Sequence, residues 1–106
     1  MTANGVLIMP ITTTKNEDST IISVTGQFDY SIHREFRDAY KNLPQNTKII
    51  LELSQTAYLD SSALGMLLLL REHLGEEKAN ISITRCNPDI KRVFELSNFH
   101  TLFTIT

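Results

Sequence analysis

The apolar run Ile49-Ile50-Leu51, carried on through Glu52 to Leu53, constrains this chain more than any other stretch. A run of this kind, rich in β-branched residues, reads as a strand covered on both faces. Ser54-Gln55-Thr56 follows as a short polar loop. Leu59-Asp60-Ser61-Ser62 then leads into a strongly helical segment from Ala63 to Leu74, with Gly75 as its stop. Asp60 or Ser61 can serve as N-cap, its side-chain oxygen accepting from a free first-turn N–H. The fold must therefore accommodate a strand, a loop and a helix with hydroxyls at the helix start.

That placement has a chemical consequence. First-turn N–H groups and the helix dipole both favour an anion. A phosphate on Ser61 or Ser62 would add about −1.5 to −2 charge at pH 7 and reverse the local surface sign without melting the helix. On the helix itself, Leu64, Leu67, Leu68 and Leu74 are predicted to face the sheet. Met66 and Leu69 fall off that stripe, on the side that holds Ser62, Gly65 and His73. An outer helix side that is partly apolar has two readings. Neighbouring elements cover it, or it is a docking surface, with Met66 adaptable and Gly65 permitting close approach.

The remaining segments build around this unit. Residues 1–8 are expected to be a flexible tail, with Met1 to Gly5 its loosest part, and the folded domain to span 9–106. Val6 to Thr14 also reads as strand-forming, with Pro10 implying an edge or a bulge. A turn at Lys15-Asn16-Glu17-Asp18 precedes a second strand, Ser19 to Thr25, antiparallel to the first. A helix is predicted from about Ser31 to Leu43, with Ile32, Phe36, Ala39, Tyr40 and Leu43 inward. Arg34, Glu35, Arg37, Asp38 and Lys41 read as its solvated face. Ala79 to Arg85 alternates as a strand. Asn87-Pro88 opens a last helix whose inner side is predicted as Ile90, Val93, Phe94 and Leu96. Phe99, Leu102, Phe103 and Ile105 close the chain as an apolar tail or short strand. The order β-β-α-β-α-β-α implies a single small α/β domain. Its mixed sheet has an antiparallel edge hairpin and parallel central strands packed against helices.

Composition narrows the function. A net charge of −2 lacks the basic surface of a direct nucleic-acid binder. The single cysteine, Cys86, precludes an intrachain disulfide and suits a reducing compartment. No apolar run reaches the ~20 residues that span a bilayer, and the N-terminus lacks a basic n-region. A cytoplasmic location without membrane contact is the expectation. Phosphate-loop, dinucleotide, C-x-x-C and H-E-x-x-H signatures are missing, and His33, His73 and His100 are scattered, so neither cofactor nor metal is implied. Ser62 stands at a strand-to-helix turn like a nucleophile elbow, but Asp60 and Leu64 occupy the positions where G-x-S-x-G has glycines. A hydrolase would need a histidine within reach of Ser62.

Leu59-Asp60-Ser61-Ser62-Ala63-Leu64-Gly65 resembles the D-S-S-G-L-G signature of STAS domains, in particular those of bacterial anti-sigma factor antagonists. Val24-Thr25-Gly26-Gln27-Phe28-Asp29 resembles the family's V-x-G-x-L-D segment. Ile49 to Leu53 resembles its central strand, and Asn87-Pro88 with Val93-Phe94-Glu95-Leu96 and Phe99 its last helix. Ala63 and Glu52 depart from the family's usual glycine and aspartate.

The resemblance implies a non-enzymatic module that, unphosphorylated, binds an anti-sigma factor and so releases a sigma factor; a monomer is the default expectation, with the oligomeric state left open. It implies a serine kinase acting on Ser62, with Ser61 the lesser candidate, and a PP2C-type phosphatase that reverses the modification. Asp29, Asp60, Ser61, Ala63, Gly65, Met66, Leu69 and His73 would then form the partner-facing surface. A constitutive scaffold or transporter-accessory STAS module is the alternative.

Overall fold

The expected opening hairpin is present. β1 (Ile11–Lys15) pairs antiparallel with β2 (Thr20–Val24), Ile11 opposite Val24 and Lys15 opposite Thr20. Both are seen in a computed structural model that describes residues 9–106. The part of the first strand expected at Val6 to Ile8, like the 1–8 tail, lies outside the described residues. Pro10 immediately precedes β1, its carbonyl accepting from Thr25 N at 2.9 Å. β1 is an edge strand, where the missing proline N–H costs no ladder bond.

The chain continues through β3 (Gly26–Phe28), a 3-10 turn at Tyr30–Ile32 and α1 (His33–Tyr40). Then come β4 (Lys48–Glu52), β5 (Thr56–Leu59), α2 (Ser61–His73), β6 (Asn80–Thr84), α3 (Pro88–Leu96) and β7 (Thr104–Ile105). The main sheet runs β1-β2-β4-β6-β7, and β2, β4, β6 and β7 are mutually parallel. Each parallel step moves one place the same way across the sheet. Right-handed crossovers then put the helices on one face.

Burial agrees. Ile22, Val24, Ile49, Leu51, Ile81 and Ile83 are buried, while Ile21, Ser23, Ile50, Glu52, Ser82 and Thr84 alternate with them half-buried. The central strand β4 is therefore covered by helices on one face only, not on both as its apolar run suggests. Ile50 gains its partial cover from Ile21 and Ser82 in neighbouring strands.

The helix signals work locally. Asn87 Oδ1 accepts from Ile90 N at 2.8 Å with Pro88 in the first turn, and Gly75 takes a left-handed φ of 97° just beyond α2. On α1 and its preceding turn, Ile32, Phe36 and Tyr40 are buried, and Ala39 and Leu43 half-buried. On α3, Ile90 and Phe94 are buried and Val93 half-buried. Leu96 is 76% exposed, because it lies past the helix's contact with the sheet side and not on the Ile90–Phe94 line. Phe99 and Phe103 close the core.

Candidate functional site

One element has no counterpart in the sequence reading. The stretch after Ser54 is not a simple loop, since Thr56–Leu59 forms β5. It pairs parallel with β3 in a separate two-stranded ribbon, Phe28 beside Leu59. Thr56 is buried, and its Oγ1 donates to Val24 O at 2.7 Å, fastening the ribbon to the main sheet. The register brings Asp29 and Asp60 out side by side.

Each aspartate then does the same thing. Asp60, in extended backbone, caps α2: its Oδ1 accepts from Ser62 N at 3.0 Å and Ala63 N at 3.2 Å, and from Ser62 Oγ at 2.5 Å. Asp29 accepts from Ser31 N at 3.0 Å and Ser31 Oγ at 2.5 Å at the turn that leads into α1. The Ser62 hydroxyl holds the Asp60 carboxyl below the usual carboxylate range. Desolvation opposes this, and the backbone N–H groups of Ala63 and Ser62 reinforce it.

Of the two cap candidates, Asp60 fills the role and Ser61 stays exposed. Ser62 is half-buried, its hydroxyl committed to Asp60. The first-turn N–H groups of Ser62 and Ala63 are already taken by that carboxylate, so they are not free for a phosphate. A phosphoryl group on Ser62 would replace the donated hydroxyl proton with an anion beside Asp60. The helix start survives on the backbone donors, but the Asp60–Ser62 side-chain bond cannot.

The two sides of α2 need correction. Ala63, Met66, Leu67, Leu70 and Leu74 are buried, at i, i+3, i+4, i+7 and i+11. Leu68, expected inward, is 43% exposed, and Leu64 is only half-buried. Met66, expected outside the stripe, is 6% exposed, and Ala63 is fully buried, so neither presents its side chain as a free docking surface. The cause is composition. With leucine at 64, 67, 68, 69 and 70, periodicity alone cannot fix the helix rotation, and the smaller Ala63 and the flexible Met66 take the contacts with the core.

Leu69 does stand out, 57% exposed. Gly65 is exposed, and a methyl group there would meet no heavy atom within 4 Å, so packing inside the described domain does not require glycine. His73 is half-buried, its Nε2 hydrogen-bonded to Leu43 O at 2.9 Å and its ring 5.2 Å from that of Tyr40. The structure thus brings Ser62, Leu69 and His73 onto one side of α2, facing α1, and Asp29 next to Asp60. Sequence reasoning missed Tyr30 and Ser31, the latter bonded to Asp29, and also Arg37 and Tyr40; Tyr30, Arg37 and Tyr40 line the clefts on the α1 side opposite Leu69. The repeat of Asp-x-Ser at 29–31 and 60–62 was the signal available for the first two.

Among the described residues none of the three histidines hydrogen-bonds Ser62, so the hydrolase arrangement is not assembled. No group of three His, Cys, Asp or Glu side chains there could hold a metal ion. No helix there is long and apolar enough to cross a membrane. Burial pushes the Cys86 thiol up, as expected of a partly covered structural cysteine.

The family model described as Mlab, STAS domain, matches residues 11–104. A STAS-domain containing protein of Pseudomonas aeruginosa is 45% identical over 86 residues, covering 80% of this chain and 85% of its own. An anti-sigma factor antagonist from Mycobacterium paratuberculosis superposes with a TM-score of 0.75 at 18% identity, over 90% of this chain and 82% of its own. The anti-sigma factor antagonist SpoIIAA of Bacillus does so at 17% identity. Its unphosphorylated form gives a TM-score of 0.71 over 91% of this chain and 87% of its own. Its phosphorylated form gives 0.63 over 91% and 90%. The likeness to these structures is one of fold: a mixed sheet with an antiparallel edge and parallel centre, backed by helices. With the family model matched over nearly the whole described domain and a relative 45% identical, this chain belongs to the STAS domain family.

Proposed function

We propose that this domain is a phospho-switched anti-sigma factor antagonist, a monomer acting in the cytoplasm. Unphosphorylated, it binds an anti-sigma factor, which gives up its sigma factor. A serine kinase, the anti-sigma factor itself or a separate enzyme, modifies Ser62 and ends that binding, and a PP2C-type phosphatase restores it. Asp29, Asp60, Ser61, Gly65, Leu69 and His73 make up the surface that the partner reads.

The observation that carries this reading is the Ser62 hydroxyl. It sits half-exposed at the start of α2, is bonded to Asp60 at 2.5 Å, and lies on the same side of the helix as exposed Leu69. Ser62 is preferred to Ser61 because it alone of the two is coupled to the cap. Its phosphorylation removes a donor from Asp60 and puts a dianion next to that carboxylate. Like-charge repulsion then opposes an interface that the uncharged hydroxyl tolerates. SpoIIAA, known in unphosphorylated and phosphorylated forms, shares the fold, which supports the assignment.

Incubation with ATP and a candidate anti-sigma kinase, followed by mass spectrometry, should place the phosphate on Ser62. Ser62→Ala should bind the anti-sigma factor constitutively and resist modification, and Ser62→Asp should bind more weakly than wild type. Phosphate on Ser61 alone, or equal binding by all three proteins, would overturn the proposal.

A further inference from the structure

Between α1 and α2 runs a groove that phosphorylation at Ser62 does not explain. Two adjoining clefts of about 130 and 440 Å3 share Arg37, Tyr40 and Leu69 in their walls. At one end Tyr30, 63% exposed, stacks on His33 with ring centroids 3.9 Å apart. At the other lies His73. The floor is apolar, made by Met66 and Phe36, and Leu69 stands at the rim.

The polar groups of this groove are unevenly satisfied. The Tyr40 ring is packed in the core, but its hydroxyl makes no hydrogen bond among the described residues and opens on the cleft, where an incoming group can reach it. Arg37 is exposed and forms no ion pair among the described residues. Arg37, Tyr40 and Glu72 line the same cleft; partial burial pushes the Tyr40 phenol up from its ordinary value, Arg37 opposes this and Glu72 adds to it. Lys41 adds a second cation, loosely held by Asp38 in an exposed pair of little strength. Against these stands one lining carboxylate, Glu72, in a chain whose overall charge is −2. A hydroxyl open to the cleft and a guanidinium without an ion pair among the described residues, set over an apolar floor, match a segment that carries apolar side chains with a carboxylate beside them.

We propose that this groove docks a short acidic amphipathic helix of a protein partner. Its apolar side chains lie against Leu69, Met66 and Tyr30, and a Glu or Asp carboxylate accepts from both Arg37 and the Tyr40 hydroxyl. Two helices side by side form a trough suited to a third helix laid along it. The eight residues of α1 give it a length of about 12 Å, roughly two turns of a docked helix. This surface shares Leu69 and His73 with the partner-facing side proposed above and to that extent rests on that reading, but it works in the unmodified protein and needs no change at Ser62.

The test uses the full chain, 15N-labelled, and a synthetic amphipathic helix of about 15 residues with leucines on one face and glutamates flanking them. A second peptide replaces every glutamate with lysine. The glutamate peptide should shift the amide resonances of Tyr30, Arg37, Tyr40, Leu69 and His73, and should bind at least about tenfold more tightly than the lysine peptide. Arg37→Ala and Tyr40→Phe should each weaken it by about fivefold or more, and Leu69→Ala by a similar factor. Arg37 and Leu69 are exposed, so those variants keep the fold, and their amide spectra verify it. Equal affinity for the two peptides, shifts that map to another surface, no binding of the glutamate peptide, or no effect of Arg37→Ala and Tyr40→Phe would each overturn the proposal. None of these readouts involves Ser62, so failure here leaves the switch intact, and a failed switch leaves the groove.

Discussion

Truncating Met66 to alanine tests which side of α2 belongs to the core. Met66 is 6% exposed and belongs to the same buried cluster as Leu67 and Leu70. Methionine-to-alanine changes in cores cost about 2–5 kcal/mol. Met66 lines a cleft that opens to the surface, so water can occupy part of the space left behind and the cost falls at the low end, about 2–3 kcal/mol. For a domain of this size that lowers the melting temperature by roughly 10–20 °C. Leu69, 57% exposed, gives the contrast: Leu69→Ala should stay within about 0.5 kcal/mol of wild type. Urea titrations of wild type, Met66→Ala and Leu69→Ala, with unchanged slopes, measure both. A loss below about 1 kcal/mol for Met66→Ala, or a larger loss for Leu69→Ala, would show that the helix is rotated the other way. The pair also separates folding from binding, since Leu69→Ala should impair docking without impairing stability.

The Asp60 cap makes acid sensitivity a second check. Its carboxyl is held below the normal range in the folded protein, chiefly by the Ser62 hydroxyl. The stability it contributes is therefore complete above the unfolded aspartate value of about 3.9 and is lost as pH falls through the lower folded value. Denaturant titrations at about pH 5 and about pH 3 should show a smaller acid loss for Asp60→Asn than for wild type, with Ser62→Ala in between; equal losses in all three would refute the cap assignment. Thr56→Val should cost about 1–2 kcal/mol, because it deletes the buried bond to Val24 O while keeping the side-chain shape. An unchanged melting temperature would mean that this bond does not fasten the ribbon.

Much of the architecture was legible because its signals are local. Asn87-Pro88 fixed the start of α3 by its own side-chain bond, and Pro10 pointed to an edge. Gly75 ended α2 through a backbone angle that other residues rarely adopt. The Asp60–Ser61–Ser62 turn was legible for the same reason, since its geometry depends on atoms within three residues. What was missed depends on partners far along the chain. β5 exists only because β3 lies beside it, and its four residues, buried at the ends and exposed between, carry no alternation to read. The rotation of α2 was hidden by a run of leucines that looks alike from every side. The groove between α1 and α2 needed both helices in place. From sequence alone Arg37 was one more charge on a wet face, and only the fold sets it beside Tyr40.

The paired ribbon has an energetic meaning of its own. Adjacent strands run about 5 Å apart, so the carboxylates that follow Phe28 and Leu59 are close neighbours. Under the proposed switch, a phosphoester at Ser62 would join that acidic company. The bare hydroxyl would then be the resting form, and the work of holding the opposite form would fall on the kinase that spends ATP to make it.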